Sequence, residues 1–253
     1  MSMQFTDQVC VVTGGASGIG SQIARRLCAE GATVAIVDVQ HDKAVALADE
    51  LTSAGPGSAH PYECDLRSHE QISSAMSRIV DDHTRIDVVV NAAGLANRTP
   101  HENITEAEWD LLNDVNLKAA FFVAQAGYRQ MIEQKSGRII NIASHRAHTT
   151  DGSHLIYAVT KAGIQAITRD MAVAGARHGI YVNTVSPGYV LTPMTAHNLQ
   201  NEEWLAHMQD RIPVGRLLEM DEVANAVLFL SSPSTTGITG QNLVVDGGWT
   251  VHE

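Results

Sequence analysis

Cysteine is scarce in this chain: Cys10, Cys28 and Cys64 are the three among 253 residues, at unrelated spacings. An odd number without a Cys-x-x-Cys pair argues against a disulfide framework and a thiolate zinc site. Long apolar runs are missing as well, and no uncharged stretch approaches the ~18 residues that a membrane span needs. Positive charge is in deficit: 17 Lys and Arg stand against 28 Asp and Glu, for a net charge of −11. Nucleic acids and anionic membrane surfaces are held by clustered Lys and Arg, so neither is an expected partner. Met1 to Gln8 contain no basic segment leading into an apolar one, so no signal peptide is expected there. Repeats and low-complexity linkers are lacking too. What remains is the profile of an ordinary globular protein, 44% apolar and 18% charged, with a cytoplasmic location expected.

The apolar residues fall into short runs separated by longer amphipathic stretches. The runs are 9–12, 34–37, 86–90, 138–142, 181–185 and 243–245, with a weaker one over 59–64. Continuous β-branched runs of this length suit strands buried on both faces, as in a parallel sheet. Helical patterns occupy 18–30, 41–54, 68–83, 105–135, 155–177 and 220–231. Strand–helix alternation that never breaks predicts an α/β fold: a doubly wound parallel sheet of about seven strands with helices on both faces. One domain over 1–253 is expected.

The first strand runs straight into Thr13-Gly14-Gly15-Ala16-Ser17-Gly18-Ile19-Gly20 and then a helical stretch. Glycines at a strand-to-helix turn let the backbone approach a pyrophosphate, which the helix N-terminus holds through free N–H groups and its dipole. The spacing is Gly-x-x-x-Gly-x-Gly, and a tight turn without a ligand is the plain alternative. Asp38 ends the next strand, ~20 residues further on, where a carboxylate accepts hydrogen bonds from ribose hydroxyls. The same charge repels a 2′-phosphate, and Gly15, Ala16, Ser17 and Val39 supply no cation to offset it. NAD is therefore the expected cofactor.

Tyr157 and Lys161 lie four residues apart on a predicted helix and so share one face. A cation near a phenol lowers its pKa, which would bring Tyr157 within reach of acid–base work on an alcohol. Such a pair is by itself more often a surface feature. Ser144 ends the strand 138–143 at the edge where open α/β sheets bind ligands, placed to orient a substrate oxygen; a turn or cap serine is the alternative. Asn116 is a polar residue among apolar neighbours, Asp114-Val115-Asn116-Leu117, and is otherwise an ordinary buried amide.

In this order and spacing, Thr13 to Gly20, Asp38, Asp65, Asn91-Ala92-Ala93-Gly94, Asn116, Ser144, Tyr157 with Lys161, and Pro187-Gly188 resemble the short-chain dehydrogenase/reductase family over essentially the whole chain. The resemblance implies a Rossmann sheet and roles for residues. Tyr157 would be the acid/base and Ser144 would position the substrate oxygen. Lys161 would hold the nicotinamide ribose and lower the tyrosine pKa, and Asn116 would support a water in a proton relay. Cofactor contacts would come from Gly14, Ser17, Gly18, Ile19, Gly20 and Asp38. Asp65 and Leu66 would lie at adenine, and Asn91, Ala92 and Gly94 along the adenosine side. Tyr157, Lys161, Pro187, Gly188, Val190 and Thr192 would lie at the nicotinamide end, Thr192 on the carboxamide. No metal is required. A homotetramer or dimer would be built from the helices near 105–135 and 155–177, the first carrying Trp109, Phe121, Phe122 and Tyr128, and from the C-terminal strand.

Two segments are this chain's own. His145 to His154, between Ser144 and Tyr157, is crowded with rings and charge and does not look like the acyl-carrier-protein reductases of the family. Its spacing matches no common zinc pattern. Arg146, His154 and His148 flank the reacting groups, which favours a small polar secondary alcohol: a polyol or sugar first, a short hydroxy acid next. The second segment, 189–214 with Met194, Leu199, Trp204 and Met208, is the expected substrate lid. The alternatives are a 3-oxoacyl thioester reductase of the same family and a non-catalytic dinucleotide sensor.

Overall fold

The β-branched runs form seven strands: β1 (Val9–Thr13), β2 (Thr33–Asp38), β3 (Ser58–Glu63), β4 (Val88–Asn91), β5 (Gly137–Ile142), β6 (Ile180–Pro187) and β7 (Asn242–Val245). They are drawn from a computed structural model that describes residues 3–196 and 200–252. All pair in parallel, in the order β3-β2-β1-β4-β5-β6-β7. This is the doubly wound sheet that the alternation of runs predicts.

Helices α1 (Gly18–Ala29), α2 (His41–Ala54) and α8 (Met220–Ser231) cover one face of the sheet. Cys10 and Val12 of β1 pack there against Ile23, Leu27, Leu47 and Val227. Val9 and Val11, pointing the other way, pack with Ile72, Ile79, Val123 and Met131. Those belong to α3 (His69–His83) and α5 (Ala119–Gln134), which share the second face with α6 (Leu155–Gly175). Burial on both faces is why the strands read as continuous apolar runs. Among the described residues no helix is long and apolar enough to cross a membrane.

The stretch 105–135 is not one helix. It divides into α4 (Glu106–Asn113), a wide π-helical turn (Asp114–Lys118) and α5. Insertion of an extra residue into the helical ladder turns Asn116 inward, where it is fully buried. Past β6, Met208 of α7 (Glu202–Arg211) forms a small apolar cluster with Ile212 and Leu217, packed against Tyr189, Trp204 and Trp249. Leu199 lies outside the described residues.

A buried polar chain ties three central strands to the helices behind them. Asn91 donates to the Ala120 carbonyl (3.0 Å) and to Asn141 Oδ1 (2.9 Å). Asn141 donates to Thr168 Oγ1 (2.8 Å), which also accepts from the Thr184 hydroxyl (2.8 Å). Asn91, Asn141 and Thr184 sit on β4, β5 and β6, and Thr168 on α6, the helix that carries Tyr157 and Lys161. Thr168→Val keeps the shape and removes the shared oxygen, stranding two buried donors at about 1–3 kcal/mol each. Urea unfolding should show a lower midpoint with an unchanged slope. An unchanged midpoint would show that the chain contributes nothing to stability.

Candidate active site

The order of the strands reverses at β1, which has β2 on one side and β4 on the other. Ligands of open α/β sheets bind outside the carboxyl ends of the strands at such a switch point. The glycine turn follows β1 at that place. Gly14 has φ +63°, and a Cβ there would stand 2.7 Å from Ala93 Cα; one on Gly20 would stand 2.2 Å from the Gly14 carbonyl oxygen. Neither position has room for a side chain, so the turn, the loop after β4 and the start of α1 close on one another as bare backbone. Ser17 precedes α1 with an extended backbone and makes no side-chain cap, leaving the first N–H groups of the helix to an anion.

Asp38 is 5% exposed, with Oδ2 accepting from Ala16 N (3.0 Å) and Oδ1 from Gln40 N (2.9 Å). It thereby fastens the glycine turn to the end of β2, and each oxygen keeps a lone pair for a further donor. Asp65 lies further along the same edge. Its carboxylate is held by Arg67, whose hydrogen bonds draw its pKa below the ordinary range. Arg67 lines this end of the cleft as well, and it is already paired with Asp65.

A cleft of about 720 Å³ runs from the glycine turn along the carboxyl edge of the sheet. Gly14, Ser17, Gly18, Ile19, Gly20 and Asp38 line its first part, followed by Asp65, Leu66, Ala92 and Gly94. Ser144, Tyr157 and Lys161 stand at the far end with Pro187, Gly188, Val190 and Thr192. An elongated dinucleotide fits these walls: the cradle excludes side chains at two glycines, carboxylates stand at the β2 and β3 ends, and a buried cation stands near the fold's centre. Asp38 would hold the adenosine ribose, the turn the pyrophosphate and Lys161 the nicotinamide ribose.

Three expected site residues are placed elsewhere. Asn91 does not line the cleft; its amide is committed to Ala120 and Asn141 under the strand ends. Asn116 stands behind the wall, accepting from Leu95 N (2.7 Å) and donating to the Leu95 carbonyl (2.8 Å) and Thr160 Oγ1 (3.2 Å). It clamps the loop after β4 to α6, the satisfied buried amide that the sequence left open. His148 turns away and accepts from the amides of Gln165 (2.8 Å) and Asn242 (2.9 Å). Its neighbours in sequence follow a tight 3₁₀ turn (His145–Ala147), which rotates successive side chains apart.

Ser144 caps that turn, accepting from Arg146 N (3.2 Å), and still lines the cleft. The cap is the alternative that the sequence offered for Ser144, and it leaves the hydroxyl proton free, since a hydroxyl accepts and donates together. Lys161 is 3% exposed and donates to the Ile142 carbonyl (2.8 Å); burial presses its pKa down to about 8. Its Nζ stands 5.6 Å from the centre of the Tyr157 ring. Burial raises the Tyr157 pKa, against which the Ser144 hydroxyl and the Arg146 guanidinium act to lower it. Arg146 is thus a cation acting against burial from outside the Tyr157–Lys161 pair.

Arg146 is 9% exposed, donating to Asp151 and to the Tyr189 hydroxyl (2.8 Å). His154 Nε2 accepts from Arg98 Nε (3.2 Å), and its ring centre stands 6.3 Å from that of Tyr157. Burial, then Arg146 and Arg98, hold its pKa below the ordinary value. His145, Asn97 and Arg98, which the sequence pattern does not single out, also line this end, with Tyr189 at the start of the expected lid. A signal existed for Asn97 and Arg98: they follow β4, whose carboxyl end opens on the same edge as Ser144. Met194 and Trp204 line the cleft, while Met208 is buried in its own cluster.

A dinucleotide cradle at the switch point of a parallel sheet, with Ser144, Tyr157 and Lys161 at its far end, defines a nicotinamide-dependent oxidoreductase of the doubly wound class. Residues 14–250 match the family described as Enoyl-(Acyl carrier protein) reductase. The chain is 36% identical to a 3-oxoacyl-(acyl-carrier-protein) reductase of Aquifex aeolicus, covering 98% of this chain and 99% of that one. It is 35% identical to the D-threitol dehydrogenase of Mycolicibacterium smegmatis, over 96% and 93% of the two chains. A gluconate 5-dehydrogenase of Burkholderia cenocepacia, solved with NADP and tartrate, superposes with a TM-score of 0.95 at 32% identity, over 100% and 98%. The chain belongs to the short-chain dehydrogenase/reductase family. It is an oxidoreductase acting between alcohols and ketones with a nicotinamide dinucleotide.

Proposed function

We propose that this enzyme is an NAD-dependent dehydrogenase of a small polar secondary alcohol: a polyol, a sugar or a short hydroxy acid. The observation that carries this reading is the buried guanidinium of Arg146 beside Ser144 and Tyr157, with His154 next to it. An acyl chain seated there leaves charged and polar donors without partners, whereas hydroxyl and carboxylate oxygens satisfy them. Relatedness to the Aquifex reductase favours the second reading, a 3-oxoacyl thioester reductase.

A dinucleotide held by the glycine turn, Asp38 and Lys161 would supply the acceptor for a hydride from the alcohol carbon, or the donor of one to the ketone. Ser144 donates a hydrogen bond to the reacting oxygen, held in orientation by the Arg146 N–H that it accepts. Tyr157 takes the hydroxyl proton at its phenolic oxygen as the C–H bond breaks, so that alcohol and NAD become ketone, NADH and a proton. Lys161 retains two N–H groups beyond the one on Ile142 and offers them to the nicotinamide ribose. Asn116 acts through Leu95 and Thr160 as a positioning residue. The segment 189–214, with Tyr189, Met194 and Trp204 on the cleft, serves as the lid over the substrate.

Tyr157→Phe removes the proton carrier, and turnover should fall at least ~100-fold with NADH binding retained by fluorescence titration. A raised phenol pKa keeps the proton on Tyr157 at neutral pH, so alcohol oxidation should climb towards alkaline pH while ketone reduction does not. Near-normal turnover in the variant, or a pH-independent oxidation rate, would remove Tyr157 from this role.

Asp38 supports the choice of NAD. Asp38→Ala removes a charge that repels a 2′-phosphate and frees two backbone donors, Ala16 N and Gln40 N. Relative use of NADP should rise by about 1–3 kcal/mol in kcat/KM. Equal use of both cofactors by the unaltered enzyme would overturn this assignment.

The enzyme is a homo-oligomer in this reading, a tetramer or dimer. Phe121, Phe122 and Tyr128 are only partly exposed, and Phe122 meets His69 edge to face, so these rings leave less outer surface than the sequence suggested. Trp109 (39% exposed) and Val173 (82%) are exposed apolar groups on the helices through which association is expected. Light scattering should find two or four chains, and a monomer at micromolar concentration would exclude assembly.

A further inference from the structure

Two guanidiniums meet at the substrate end of the cleft. Arg98 comes from the loop after β4 and Arg146 from the turn after β5, on either side of His154. Both cations act on His154, and both act on the Tyr189 hydroxyl, so the two converge on one place from two elements. Arg98 contributes one N–H to this framework, Nε to His154 Nε2 (3.2 Å). That bond makes Nε2 an acceptor and puts the ring proton on Nδ1, facing Ser153 Oγ (2.6 Å) and Asp151 Oδ1 (3.6 Å). Arg146 spends Nη2 on Asp151 and Tyr189. Among the described residues, the remaining donors of both side chains have no partner: Nη1 and Nη2 of Arg98, Nε and Nη1 of Arg146.

The charges at this end do not cancel. Asp151 is an ionised carboxylate, with hydrogen bonds from Ser153 and the charge of Arg146 outweighing the cost of its burial. With Lys161 and with Asp246, whose charge reaches His145, three cations stand against two carboxylates, and His154 is held neutral, which leaves an excess of one positive charge. The chain as a whole carries −11, so this is a local reversal of sign inside an acidic protein. A planar guanidinium with free paired donors matches the oxygens of a carboxylate better than those of a lone hydroxyl.

We propose that Arg98 and Arg146 form a carboxylate subsite beside the reaction centre, so that the substrate is a hydroxy acid or a polyhydroxy acid. The subsite rests on the polar-alcohol reading and narrows it: among polar alcohols, those carrying an acid group are preferred over neutral polyols. Arg98 is the residue to test first, because it is exposed and leaves the Ser144 turn intact.

The experiment compares matched pairs, gluconate with glucitol and 3-hydroxybutyrate with 2-butanol, alongside acetoacetyl thioesters in the reducing direction. The unaltered enzyme should favour the acid of each pair by at least ~10-fold in kcat/KM. Arg98→Gln should shrink that ratio at least ~10-fold, chiefly through KM, and Arg98→Lys should restore part of it as a point charge. KM for the acid should also rise with salt while KM for the neutral partner stays level. Preference for the neutral member, or a ratio untouched in Arg98→Gln, overturns the subsite and leaves the polar-alcohol reading standing. Preference for the acyl thioester overturns both.

Discussion

A sheet whose strands all run one way places the carboxyl end of every strand on a single edge, and this constraint governs the whole molecule. Thr13, Asp38, Asn91, Ile142 and Pro187 each close a strand there, and the segments that follow them build the cleft. Residues far apart in sequence meet because their strands are parallel, not because they attract one another. The polar chain through Asn91, Asn141, Thr168 and Thr184 then sets α6 against the strand ends. Without that registration, Tyr157 and Lys161 would share a helix face but no defined partner. The arrangement also explains why buried polar groups are tolerated beneath the cleft: each spends its donors on a neighbouring element.

Burial sets the electrostatic character of the site. It raises the Tyr157 phenol, presses Lys161 down to about 8 and His145 to about 4. Each shift disfavours the charged form, which is the expected sign for groups withdrawn from water. Against that background Asp151 and the Tyr189 hydroxyl accept from the buried guanidinium of Arg146 and offset the cost of its burial. The same guanidinium then lowers the phenol beside it. One cation therefore links the Tyr157 phenol to the wall of this end of the cleft, and a charge placed there would be felt by Tyr157.

The strands, their parallel pairing and most helix bounds were legible as periodicity, because burial on both faces leaves a continuous apolar run whatever the detailed packing. The glycine turn and Asp38 were legible for a local reason: a bare backbone and a strand-end carboxylate stand at a fixed separation along the chain. Tyr157 and Lys161 share a helix face by the same kind of local geometry. The break at 114–118 was not legible, since no Gly or Pro marks it and the wide turn answers to Leu95 and Thr160 across the fold.

By itself, then, the sequence determined what depends on spacing along one strand or helix: the class of fold, the cradle, and the order of groups on α6. Tertiary structure alone decided what depends on contacts between segments. It turned His148 towards Gln165 and Asn242, buried Asn91 under the strand ends and brought Arg98 to His154 from 56 residues away. Periodicity reports which face of an element is buried. It carries no information on where a polar side chain in a loop points, because that direction is chosen by whichever donor or acceptor another element happens to present.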